Sequence, residues 1–111
     1  MLIIGIITTK NRLELFGKAI ESTIYQTRKL EGLIIVSDSD DTNYEQEKII
    51  CQLHKACLLK NRYSHNYAGS LNTAIHKVIS DNLFNTNDYS NTYIAFLDDD
   101  DTWHNDYIEK C

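Results

Sequence analysis

No proline occurs in the 111 residues and no segment repeats another, so composition offers no break at which to divide the chain. With 42% hydrophobic and 24% charged residues, it suits one globular domain, residues 1–111, with its own core. Glycine is scarce. Gly5, Gly17, Gly32 and Gly69 cannot form a GxGxxG or P-loop cradle for phosphate. Cysteine is limited to Cys51, Cys57 and Cys111, an odd number without a CxxC pair, which argues for free thiols in a reducing cytoplasm. Cys51, His54 and Cys57 fall at steps of three. On a helix they would spread over ~120° of its face with no fourth ligand, so a zinc cluster is disfavoured. No apolar run approaches the ~20 residues that span a bilayer. LIIGII after Met1 is too short for a secretory leader and lacks its basic flank. Positive charge is also short: 11 Lys and Arg against 16 Asp and Glu give −5. That argues against a nucleic-acid partner, and an anionic small molecule would need a bound cation as mediator.

What is present is a regular alternation of apolar segments. LIIGII (Leu2 to Ile7) is a continuous apolar run of strand length, as expected for a strand buried on both faces. Leu13, Phe16, Ile20 and Ile24 follow at helical spacing. LIIVS (Leu33 to Ser37) reads as a second strand, and Thr42 or Asn43 as the cap of a helix carrying Ile49, Ile50 and Leu53. CLLK (Cys57 to Lys60) is a short third strand. Leu71, Ala74, Ile75, Val78 and Ile79 form the stripe of a core-facing helix. An asparagine-rich loop precedes a fourth strand, TYIAFL (Thr92 to Leu97), and HNDYIEK begins a last helix. The βαβαβαβ order predicts an α/β fold, a mostly parallel Rossmann-like sheet with helices on both faces.

In such sheets ligands collect at the carboxyl ends of the strands. The loops there are TTKNR (Thr8 to Arg12), SDSDD (Ser37 to Asp41) and DDDD (Asp98 to Asp101). Adjacent charges ~5 Å apart repel by about 3 kcal/mol at an effective dielectric of ~20, so the last run needs a reason. An isolated acidic run reads as a solvated turn or a helix N-terminus. Its place after a buried strand at the ligand edge favours a cation site instead. In an extended loop side chains alternate, so Asp98 and Asp100 would converge on one point, while Asp99 and Asp101 face the other way. Hard divalent cations such as Mg²⁺ or Mn²⁺ accept such oxygen pairs. Lys10, Arg12, Lys60 and Arg62 are candidate phosphate partners. Asp38 is placed either to accept from a base or ribose or to serve as a helix cap or Asx-turn, and Ser39, Asp40 and Asp41 read as turn and cap residues. Asn72, near a helix start, either ties loop backbone together or faces the ligand. Trp103 reads as a hydrophobic anchor for the last segment. His76 is expected on a helix surface, and His104 is a marginal metal ligand.

Several of these pieces resemble the nucleotide-binding half of family 2 glycosyltransferases with the GT-A fold. IIGIITTKNR is similar to that family's opening strand and P-T-Y-N-R-type loop, and AIESTIYQT to its A-I-x-S-I-x-x-Q-T helix end. LIIVSDS resembles the I-I-V-V-D-D-G-S strand end, with Asp38 on the second aspartate. SLNTAI is similar to the segment carrying its Asn, and FLDDDDTWHNDYIEK to F-L-D-x-D-D-x-W-x-P-x-x-L-E, the D-x-D signature. The resemblance implies a nucleotide-sugar donor, most often a UDP-sugar, and a divalent metal (Mn²⁺ or Mg²⁺) on its diphosphate. It implies nucleotide contacts from Thr8, Thr9, Lys10, Asn11, Arg12, Asp38, Asn72 and Asp99, and metal ligation by Asp98 and Asp100, with Asp100 the direct ligand. Thr8 and Asp38 would meet the nucleoside, and Asp99 would reach the ribose or serve the loop.

The departures are Thr8 for Pro, Lys10 for an aromatic, Ser37 for the first aspartate, Leu71 for an Arg and Asn105 for a Pro. Members of the family are about twice as long, with the acceptor site and catalytic base in the second half. This chain is therefore expected to be a donor-binding half, truncated after the D-x-D motif and inactive alone, either self-associating or pairing with an acceptor-binding half. Two other readings are a non-catalytic nucleotide- or metal-binding remnant and a haloacid-dehalogenase-type phosphatase. The phosphatase reading takes Asp98 to Thr102 as D-x-D-x-T, with Asp98 as nucleophile and Asp100 as acid. That signature normally opens its domain, whereas here almost nothing follows it.

Overall fold

The computed structural model describes residues 2–61, 69, 72–76 and 92–110. Arg62, His65, Leu71, Val78, Ile79, the asparagine-rich stretch 81–91 and Cys111 lie outside the described residues. The elements are β1 (Leu2–Thr9), α1 (Leu13–Ile24), β2 (Gly32–Ser37), α2 (Asp41–Leu53), β3 (Cys57–Lys60), β4 (Thr92–Asp98) and a single turn, α3 (Tyr107–Lys110). Residues 72–76 are also helical.

The four strands form one parallel sheet in the order β3-β2-β1-β4. Ile7 pairs with Ile35 on one side and Leu97 on the other, so both neighbours of β1 are in register at its carboxyl end. Strand alternation divides the apolar residues between two faces. Ile7, Ile35 and Leu97 pack with Phe16, Ala19 and Ile20 of α1 and Cys51 of α2. Ile4, Ile6, Ile34 and Val36 pack on the opposite face with Ala74. The strands are apolar on both faces because both faces are covered, as the run LIIGII predicts. Each fully buried isoleucine contributes roughly 1.5–3 kcal/mol by leaving water. Gly5 lets two leucine ends approach β1 closely: a Cβ there would lie 2.7 Å from Leu30 Cδ1 and 3.1 Å from Leu33 Cδ1, and those side chains would have to shift.

Two expectations about α2 are revised. Its cap is Asp40, one of the turn and cap residues read at Ser39 to Asp41, whose carboxylate accepts from the Asn43 N–H at 2.9 Å, and not Thr42 or Asn43. Its buried positions are Glu47 and Cys51, while Ile49 and Leu53 are exposed. Residues two apart on a helix point in nearly opposite directions, so burying Glu47 turns Ile49 outward. The side chain of Glu47 is held there by two hydroxyls, described below.

The chain winds outward from β1 to β3, then returns across the sheet to place β4 on the other side of β1. The sheet therefore changes direction between β1 and β4, and the crevice at their carboxyl ends is the topological switch point where open α/β sheets bind ligands.

Candidate functional site

Three loops leave the sheet at this edge. Asp98 ends β4 beside Thr8, and Ser37 ends β2 beside Thr9. The chain then turns sharply. The Asp101 N–H donates to the Asp98 carbonyl at 3.1 Å, and this turn ends the extended alternation after Asp99. As a result Asp98, Asp100 and Asp101 each bring one carboxylate oxygen within 4.8 Å of the others. The pair expected from D-x-D spacing is there, but Asp101 joins it where alternation had turned it away. Burial and the neighbouring Asp100, Asp101 and Asp99 carboxylates push the Asp98 carboxyl above its ordinary value, against the lowering effect of Arg12.

Asp99 is the exception in the run. It is buried, and its Oδ2 accepts from Thr9 Oγ1 at 3.0 Å and from the Lys10 N–H at 3.2 Å. Its Oδ1 accepts from Arg12 at 3.3 Å, and the same guanidinium nitrogen lies 3.2 Å from Asp100. Of the two roles expected for Asp99, the structure shows the loop contact. Arg12 ties the TTKNR loop to the acidic turn.

On its other side the same loop is fastened to β2. The Thr9 carbonyl accepts from the Asp38 N–H at 3.0 Å. Asn11, in the left-handed region at φ 52°, donates its N–H to Ser39 Oγ at 2.8 Å. Its side-chain oxygen accepts from the Asp40 N–H at 3.0 Å and from Asn43 Nδ2 at 2.9 Å. Ser39 in turn donates to the fully buried Glu47, at 2.6 Å, and Ser37 donates to the other Glu47 oxygen at 2.5 Å. Glu47 was not singled out in the sequence. A charged residue on a short, polar helix carries no motif, and its only signal is the pair of serines ahead of it.

The remaining candidates are dispersed. Lys60 is 3.5 Å from Asp41 and lies over the Tyr44 ring. Lys10 is exposed at the edge. Asn72 and His76 lie on the exposed side of the 72–76 helical segment. His104 is no part of the carboxylate group, and its carbonyl accepts from Gln26 at 2.6 Å. The buried Gln26 also accepts from the Ile108 N–H at 3.0 Å, so one side chain pins the segment after the acidic turn to the end of α1. Trp103 stacks on Tyr107 and packs against the α1 core, as an anchor should.

The donor set is entirely carboxylate oxygen, which suits a hard divalent cation. Among the described residues no other acidic, histidine or cysteine group converges in this way.

The sequence model of glycosyl transferase family 2 matches residues 6–111, nearly the whole chain. The chain belongs to glycosyl transferase family 2. Sequences similar to it include an uncharacterized glycosyltransferase of Rickettsia felis, 30% identical over 104 residues that cover 94% of this chain. One of Rickettsia conorii is 29% identical over the same length. The chain spans about 15% of the length of each. The crystal structure of S. aureus TarS superposes with a TM-score of 0.67 at 15% identity, over 99% of this chain and 18% of that one, a likeness of fold. No described helix of the family 2 domain is long and apolar enough to cross a membrane.

Proposed function

We propose that this family 2 domain binds a nucleotide-sugar donor, a UDP-sugar, with a divalent cation on its diphosphate, and serves as the donor half of an inverting glycosyltransferase. The observation that carries this is the convergence of Asp98, Asp100 and Asp101 at the β1–β4 switch point, beside the loop that begins at Thr8. Asp100 and Asp98 hold the cation, with Asp101 as a third oxygen donor. Thr8 and Asp38 face the nucleoside from the ends of β1 and β2. Asp99 holds the TTKNR loop, while Lys10 and Arg12 stand at the rim and Asn72 is carried as a nucleotide contact by the family resemblance alone. The cation, Mn²⁺ or Mg²⁺, supplies charge stabilisation for the departing diphosphate. Sugar transfer itself needs a base and an acceptor site beyond the residues assigned here, so the chain alone binds without turnover.

Titration calorimetry with UDP, with and without Mn²⁺, tests the reading. Binding that requires Mn²⁺ and is lost in Asp100→Asn is the expected result. No binding, or equal binding in chelator, by a chain that circular dichroism shows to be folded would overturn it. The phosphatase reading gains no support. Its signature follows the first strand of its domain, whereas Asp98 ends the fourth of the described strands.

A further inference from the structure

The TTKNR loop is fastened on both sides by a buried carboxylate. Asp99 holds it from β4 by direct contact. On the β2 side the anchor is Glu47, which never touches the loop. Glu47 is fully buried, and both its oxygens are taken by serine hydroxyls, Ser37 at 2.5 Å and Ser39 at 2.6 Å. Those bonds orient Ser39 so that its oxygen faces the Asn11 N–H at 2.8 Å. Ser37 Oγ also accepts from the Ser39 N–H at 3.2 Å, which closes the turn. Asn11 then reaches back to Asp40 and Asn43 at the start of α2. The path runs from Glu47 through Ser39 to Asn11. It fastens the loop beyond Thr9 to the turn after Asp38, where the bond from the Asp38 N–H to the Thr9 carbonyl already joins the two strand ends.

We infer that Glu47 is a positioning residue for the nucleoside half of the donor site: it fixes the separation of the β1 and β2 loops through Ser39 and Asn11. This rests on the donor-binding reading above. A buried carboxylate is costly to desolvate unless each oxygen is hydrogen-bonded. Apolar packing of α2 on the sheet would need no such group. Two hydroxyl donors aimed at one carboxylate fix angles that an apolar contact leaves free. A residue that positions one loop and not the acidic turn should affect the nucleoside and the cation differently.

The test compares the parent chain with Glu47→Gln and Ser39→Ala by three measurements at a temperature where all remain folded. UDP affinity in saturating Mn²⁺ is expected to weaken at least fivefold in both variants. Affinity for Mn²⁺ alone is expected to stay within twofold. Hydrogen exchange at the Asn11 amide is expected to quicken at least tenfold in Glu47→Gln, although that substitution leaves Ser39 and Asn11 in place. Ser39→Ala keeps the Glu47–Ser37 bond and guards against a Glu47 variant that fails to fold. A lower melting temperature with unchanged UDP affinity and unchanged Asn11 exchange overturns the inference and leaves Glu47 a packing residue. Equal loss of Mn²⁺ and UDP affinity overturns it too. Should the parent bind no UDP, the donor-binding reading fails, and Asn11 exchange alone then decides whether Glu47 controls the loop.

Discussion

At the scale of single residues, the four aspartates of FLDDDDTW are chemically one type but occupy two environments. Asp99 is neutralised by Arg12 and two donors from the β1 loop. Asp98, Asp100 and Asp101 crowd one another. The crowding and partial burial raise the carboxyl of Asp98, so the folded chain holds that proton more tightly than the unfolded chain. The sign follows from linkage. Asp98 favours the fold below the unfolded carboxyl value of about 3.9. That contribution is lost as pH rises through its higher folded value. At pH 7 in chelator, Asp98→Asn should therefore stabilise the chain, by about 0.5 kcal/mol on the scale of exposed charge pairs. For a domain of this size that is roughly 2–4 °C in melting temperature. With Mn²⁺ added the order should reverse, because only the parent gains from the ion. Thermal melts of both proteins in EDTA and in Mn²⁺ decide it. A variant no more stable than the parent in EDTA would show that neither desolvation nor crowding raises Asp98 in the folded chain. A different residue, Cys51, is shifted for a simpler reason. Burial, then Glu47 and Cys57, push its thiol up to about 12. Iodoacetamide at pH 8 should leave Cys51 unmodified by mass spectrometry until denaturant is added, since the thiolate is the nucleophile.

The elements themselves were largely legible in the sequence. Continuous apolar runs marked β1, β2 and β4, and each came out with its boundary shifted by one or two residues. The α1 stripe placed Phe16 and Ile20 correctly in the core. What failed was the phase of α2, because the reading sought apolar residues for its buried face. The helix buries Glu47 instead, and a partnered carboxylate is invisible to hydrophobic periodicity. The turn at Asp98–Asp101 was missed for a related reason. Strand alternation was carried past the end of the strand, where a 3.1 Å backbone hydrogen bond reverses the chain. Of the cap residues read in the sequence, the helix uses Asp40 ahead of Thr42 and Asn43, and this matters for the site because Asp40 caps α2 and its N–H also donates to Asn11. Asp40→Ala should cost about 1 kcal/mol, the usual loss for a cap, and Asp40→Asn a fraction of that. Urea unfolding should show the difference as a lower midpoint at unchanged slope. Equal midpoints for Asp40→Ala and the parent would mean that the side-chain cap carries no stability.

For the whole molecule, the order β3-β2-β1-β4 leaves β4 at one edge of the sheet, pairing with no second strand among the described residues. Tyr93 and Phe96 on this strand are 54% and 42% exposed, and Tyr107 beside its end is 43% exposed. Natural edge strands are commonly protected by charge, proline or a bulge. Between Thr92 and Leu97, β4 carries no charge and no proline. An apolar, uncharged edge is a template for a further strand, whether from a longer polypeptide or from a second copy. The 111-residue chain should therefore associate as its concentration rises, with β4 at the contact. Sedimentation velocity from about 10 to 300 µM should show a growing weight-average coefficient in the parent. Phe96→Lys, which places a charge on the edge without touching the α1 core, should hold the chain monomeric over most of that range. A parent chain that sediments as a clean monomer throughout would show that the β4 edge is protected in solution. Association that persists in Phe96→Lys would move the contact to another surface.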